Sequence, residues 1–364
     1  MPLHSIASYA RALRPELPAG VFTPSRRPLL WLMLHAGFAL AVIVSLAAGW
    51  LSLPVAFLLS PLVGFSYGIL SFVAHETLHG AVVRDRRARK LIGWFGFLPF
   101  VLSPRLWGQW HNRVHHGHTN EATVDPDAYP TLSEYEDSAS VRTSVDLFSL
   151  GGRRWRGVLS LMLGFSVQSA TVLFTASRLG MKLRERRLAF AETLAGVAVW
   201  VAVACLVGPL GFLAVFLIPV LVANVVVMAH ILTNHSLSPH TESNDPLLNS
   251  LSVTMTPVLE WLTMRFGYHV EHHLFPAMSS EHAPAVRALL RTHWPERYQS
   301  MPLRQALRAL HRTARVYKDA RTLLDPTTSR EWPTIQPGLA VPVAPVSSDQ
   351  VPLLDASIAA TPAV

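Results

Sequence analysis

Apolar residues gather in four long runs, at 29–50, 53–73, 188–207 and 210–228. Each approaches the roughly 20 residues that a helix needs to cross a bilayer. Only residues 51–52 separate the first pair, and only Gly208-Pro209 the second. Connections that short leave no choice but antiparallel neighbours, so the pattern predicts two transmembrane hairpins. A fifth run, 158–177, is uncharged and long enough to cross. Were it to cross alone, the basic run 178–187 would fall on the opposite side from the other basic segments. An interfacial or re-entrant helix is therefore expected there, and another at 91–102, which is too short to span.

Residues 286–316 become amphipathic and basic, as suits helices lying on a membrane surface. From 325 to 364 the chain is rich in Pro, Ser, Thr and Ala without periodicity, which reads as a disordered tail. The expected organisation is an N-terminal arm (1–28), a membrane domain with a cytoplasmic helical cap (29–324) and the tail (325–364). The expected fold class is an all-α integral membrane protein.

Charge orients the hairpins. The tips carry no Lys or Arg, whereas basic residues flank the other ends: Arg26 and Arg27, Arg84 to Lys90, and Lys182 to Arg187. The positive-inside rule then puts both termini and the long middle region in the cytoplasm. Charged residues make up only 15% of the chain, below the roughly 25% of soluble domains. The net charge of +8 sits beside apolar runs and suits anionic lipid rather than nucleic acid. No removable signal peptide precedes the first run. The single cysteine, Cys205, lies inside an apolar run and excludes an internal disulfide or a cysteine-rich metal site.

The chemistry lies in the 17 histidines. Three clusters stand out: His75-Glu76-Thr77-Leu78-His79, His111-Asn112-Arg113-Val114-His115-His116, and His269-Val270-Glu271-His272-His273. A helix brings positions i, i+3 and i+4 to one face, and imidazole ligates iron, copper, nickel or zinc. By the charge-set topology all three clusters lie at the cytoplasmic face, and so does His235, just past the fourth run. Isolated histidines (His4, His35, His240, His282, His293, His311) read as ordinary packing or surface residues. His118 and His230 lie close enough to the clusters to support ligands.

The pattern HxxxH, HxxxHH, HxxHH resembles the membrane fatty-acid desaturases and their hydroxylase relatives. The run Gly267-Tyr268-His269-Val270-Glu271-His272-His273-Leu274-Phe275-Pro276 is especially similar to that family's third box. The resemblance covers about 29–291. It implies two non-haem iron ions held by His75, His79, His111, His115, His116, His235, His269, His272 and His273. Some relatives hold a metal-bound water with an asparagine four residues before the extra histidine; Ile231 stands there, with Asn234 or His230 as substitutes. Glu76 is expected to orient a ligand histidine, and Glu271, Asp125 and Asp127 to do similar work.

The first cluster also fits HExxH, the zinc-protease signature. A catalytic zinc takes three protein ligands, which would leave about five clustered histidines idle, so two metals fit better. The resemblance implies O2-dependent desaturation of a long-chain acyl lipid, with acyl or carotenoid hydroxylation or ketolation as variants. It implies a separate electron donor, a ferredoxin or a protein like cytochrome b5, fed by NAD(P)H. The expected setting is a multi-pass protein of a bacterial inner membrane with a cytoplasmic active site. Trp94, Phe95, Trp107, Trp110, Trp261 and Phe266 are candidates to line an acyl channel.

Overall fold

The structure is a computed structural model that describes residues 4–148 and 155–335. Helix α1 (Ile6–Leu13) starts at Ser5, whose hydroxyl accepts the Ser8 amide and so caps the first turn. Helices α2 (Arg27–Ala47) and α3 (Leu53–Leu78) form the first hairpin. Its tip turns at Gly49, whose φ of 74° suits a residue without Cβ. Helix α4 (Arg86–Phe97) is capped by Asp85 and lies along α3. Gly96 of α4 permits this closeness: a Cβ there would come 2.6 Å from Leu70 O. Leu91 and Phe95 remain exposed on α4, beside the basic first turns.

A short α5 (Pro104–Trp107) runs into a π-helical turn, Gly108–His115. Then come α6 (Leu132–Asp137), α7 (Ala139–Phe148), α8 (Val158–Thr175), α9 (Leu183–Phe212) and, after a second π turn at Leu213–Leu217, α10 (Ile218–His235). Among the described residues, four helical stretches are long and apolar enough to cross a membrane: Arg27–Ala47, Leu53–Leu78, Trp155–Thr175 and Leu183–His235. The last is broken at Gly208 (φ 72°, ψ 174°), ahead of Pro209. The rings of Trp200 and Phe216, one on each side of the break, meet at 4.3 Å. The break therefore reverses the chain into the second hairpin that the sequence suggests.

Helices α3 and α10 pack closely because Gly64 and Gly68 face Pro219, Val222 and Val226, where any Cβ would approach within 3.0 Å. This small-residue stripe is a membrane-type helix contact. The π turn leaves carbonyls free, and α3 satisfies them: Ser60 Oγ donates to Ala214 O and Tyr67 OH to Val215 O.

Helix α8 packs on α10, with Gly164 against Met228 and the Asn224 amide bonded to Ser166. The segment that follows returns to α5 and the π turn: Gln109 Nε2 donates to Leu179 O, and Arg105 pairs with Glu185 and Glu192. Glu192 lies inside the apolar run 188–207, so the uncharged part of α9 begins after it.

The cap adds α11 (Pro246–Asn249), α12 (Pro257–Leu262), α13 (His269–Leu274), α14 (Ala283–His293) and α15 (Leu303–Arg312). The N-terminal arm joins it: Tyr9 OH and Arg297 both donate to the buried Asp245 carboxylate. The protein is mostly helical, as expected, but the described residues also contain five short strands. Strands β1 (Ser252–Thr254) and β2 (Ser300–Pro302) pair in parallel; β3 (Val316–Asp319), β4 (Thr322–Asp325) and β5 (Arg330–Pro333) form an antiparallel sheet. Residues 325–335, read from composition as tail, thus include β5. Buried Leu323 and Leu324 and the Asp325–Ser329 turn supply what composition hid. Residues 336–364 of the expected tail lie outside the described residues.

Candidate metal centre

The ends of α3 and α10, the first π turn and α13 converge on one point. On α3, His75 and His79 share a face at i and i+4, the latter as the C-cap. His235 is the last residue of α10. Helix α13 presents His269, His272 and His273 at i, i+3 and i+4. The middle cluster needs another device. At 3.6 residues per turn, an α-helix would turn His116 well away from His111. Here the His116 amide donates to His111 O at 2.9 Å, an i→i+5 bond. The widened turn brings His111, His115 and His116 together, and such turns recur at functional sites.

The nine rings fall into two groups that cut across the sequence clusters. Group one is His75, His79, His111, His116 and His272; group two is His115, His235, His269 and His273. Within each, ligand atoms lie within 4.8 Å of one another. In group one, His111 Nε2 stands 3.2 Å from both His75 Nε2 and His116 Nε2, which is 3.2 Å from His272 Nε2. In group two, His269 Nε2 lies 2.6 Å from His235 Nε2 and 3.0 Å from His273 Nε2.

With the Nδ1–H of His115 directed at Asp125 and that of His235 at the Asn249 carbonyl, the Nε2 atoms of these rings, in their neutral form, carry lone pairs only and have no proton to share with the nitrogens they face. A central cation can satisfy them: bonds of about 2.1 Å at right angles put cis ligands about 3.0 Å apart. The donor set therefore fits one metal ion per group. Burial, then the charge of neighbouring rings, holds His79, His111, His116, His269 and His273 well below the ordinary histidine range; His272 falls to about 3 for the same reasons. These rings are neutral at pH 7, the form that ligates. At His115 burial also opposes protonation, but Asp125 and Asp127 outweigh it and raise the pKa to about 9.

The far nitrogens find different company. His115 Nδ1 stands 3.0 Å from both Asp125 oxygens and 3.4 Å from Asp127 Oδ2. His235 Nδ1 reaches Asn249 O at 3.2 Å, and His273 Nδ1 meets Thr119 Oγ1 at 3.2 Å. Thr119 and Asn249 have no motif to announce them. Glu76 is less engaged than expected. Its carboxylate is 3.7 Å from His75 Nδ1, beyond hydrogen-bond length, and it accepts the Ser280 amide instead.

Glu271 bonds Ser252, Arg287 and Tyr298, tying α13 to β1 and α14, with no bond to a ligand ring among the described residues. His118 is half exposed and bonds Glu121. His230 bonds Val226 O and stands edge-on to Phe72 and Phe266, outside both groups. Asn234 is buried beside His235, and its side-chain amide has no partner among the described residues. His35 bonds Ser66 between α2 and α3, as a bundle residue would.

Two cavities meet the rings. One, of about 520 Å³, lies among α3, α8 and α10 and reaches His75, His111, His115, His235 and His269. Its walls are mainly apolar, including Phe72, Phe97, Trp107, Phe165, Ile231 and Phe266. The other, of about 340 Å³, opens on the cap side between Arg265, Tyr268, Ser280 and Glu76. Of the expected channel residues, Trp107, Trp110 and Phe266 line the first cavity. Trp94 instead donates to Glu192 O, and Phe95 and Trp261 are exposed.

The HExxH reading weakens here, since His75 and His79 sit in a group of five imidazoles, more than a catalytic zinc takes. A family model described as fatty acid desaturase matches residues 48–304, more than half of the chain and a span containing all nine rings. No curated protein matches the chain.

Proposed function

The chain belongs to the fatty acid desaturase family, and from that premise we propose that it is an oxidoreductase that desaturates a long-chain acyl lipid with O2. Group one and group two each bind one non-haem iron ion. The observation that carries this reading is the meeting of two imidazole groups with an apolar cavity.

The chemistry that bound iron supplies is reduction of O2 and removal of hydrogen from an unactivated CH2. The acyl chain gives up two hydrogens, the donor two electrons and the medium two protons; the products are a double bond and two waters. The protein's own residues do the positioning. Phe72, Phe97, Phe165 and Phe266 hold the chain and exclude water, while Asp125, Thr119 and the Asn249 carbonyl aim the rings. Electrons come from a separate ferredoxin or a protein like cytochrome b5, fed by NAD(P)H.

The basic ends of α2, α4 and α9 lie beside the histidines, and the hairpin tips lack Lys and Arg. This supports a cytoplasmic site with both termini cytoplasmic. Helix α8 is followed by a segment on the histidine side, which favours a helix that dips in and returns. Reporter fusions after residues 49, 180 and 208 test this: only 49 and 208 should report the far side.

Lipid profiling by mass spectrometry, after expression in a host without such an enzyme, tests the reaction. New double bonds are expected. New hydroxyl groups would instead assign hydroxylation to the same scaffold. A purified protein holding one zinc and no iron would overturn the reading.

A further inference from the structure

The loop Asp125–Asp127 braces His115. Asp125 accepts the Asn120 and Asp127 amides, so the loop is stitched to itself and to the end of the middle cluster. Asp127 Oδ1 receives Trp110 Nε1 at 2.8 Å, from the π turn that carries His115. The Asp125 amide also donates to Glu121 O, and a fastening from another helix comes from Gln168, in the middle of α8. Its Nε2 donates to Asp127 Oδ1 and reaches Pro126 O at 3.3 Å. One turn earlier on the same helix, Phe165 walls the apolar cavity. Among buried groups a lost donor is not readily replaced by water, and a carboxylate with fewer donors is free to swing away from the ring it faces.

We propose that Gln168 is a positioning residue: by clamping the Asp125–Asp127 loop to α8 it fixes the orientation of His115 and hence the ion in group two. The inference rests on the two-iron reading above. Helix α8 then does two things at once, closing the cavity with Phe165 and bracing a ligand with Gln168.

The test uses the full-length, iron-loaded protein in detergent micelles. Gln168→Leu removes the amide; Gln168→Glu keeps its shape and removes the N–H, and carries the test alone should the leucine variant not fold. Thr171→Val, on the exposed face of α8, is the control. The readouts are ferrous-iron release to ferrozine and the Mössbauer spectrum. Direct ligand supports are worth about 10–100-fold in metal affinity or activity; acting one bond further out, Gln168 should stand near the lower end of that range. Each Gln168 variant should release one of the two irons about tenfold faster, with one of two ferrous doublets altered, while the control matches the wild type. Variants that release both irons at the wild-type rate, with unchanged spectra, would overturn this proposal alone. A wild-type protein without iron would overturn the metal reading, and this proposal with it.

Discussion

The two imidazole groups contain similar rings but are held differently. In group two all four rings are buried, and three have their far nitrogen fixed: His115 by Asp125, His235 by the Asn249 carbonyl and His273 by Thr119. In group one His79, His111 and His272 are only half-buried, and His75 Nδ1 has no hydrogen-bond partner among the described residues. The cap-side cavity reaches His75 and His272 of group one and, of group two, His269. The contrast teaches that convergence and rigidity are separate properties. Helical spacing, with one π turn for the middle cluster, brings the rings together, but their aim depends on partners from other segments. Group two is preorganised, and group one is open to adjustment and to solvent.

The largest effects should come from the ligands. His269→Ala and His272→Ala should each end lipid oxidation and lower the iron content from two towards one, as metal analysis of the purified variants would register. Two retained irons in either variant would break the division into groups. Next, Asp125→Asn should cost about 10–100-fold in activity or iron affinity, whereas Glu76→Gln, whose carboxylate lies past bonding distance of His75, should leave both near wild type. Equal losses would erase the contrast in bracing. A smaller effect should appear in release kinetics: a chelator should strip the wild-type protein in two phases, with group one emptied first, and the slower phase should be the one that Asp125→Asn accelerates.

The smallest effect concerns pH. Outside the spans, His79, His111, His116, His269, His272 and His273 have folded-state pKa values below the ordinary 6.5. As pH falls below that value the unfolded chain takes up protons that the folded one refuses, so stability falls. His115 acts in the opposite sense: raised to about 9, it contributes stability that is present below about 6.5 and lost as pH rises through 9. The metal-free protein should therefore unfold at a lower temperature at about pH 5 than at about pH 7, by calorimetry. The iron-loaded protein should drop further, since protons compete with the metal for the same nitrogens.

Much of the fold was legible because its signals are local. The apolar runs, the Gly208-Pro209 break and the basic flanks lie within short windows, and the helices stand where those windows place them. The β3–β5 sheet was not legible, since its strands are only four residues each and β5 sits in a stretch of tail-like composition. Nor did charge and periodicity reveal the Gly64–Gly68 stripe, which acquires meaning only against Val222 and Val226.

The site divides in the same way. The sequence marked the three clusters, and its resemblance to the desaturases implied the set of nine, but helical spacing by itself aims only the first and third clusters. Only the tertiary structure decided how those nine split into five and four, which carboxylate braces a ring and which merely stands near one, and that α8 walls the cavity. Helical geometry repeats every few residues and can be read along the chain. The split depends on pairs such as His116 with His272 and Thr119 with His273, more than 150 residues apart, whose approach is set by how whole helices pack.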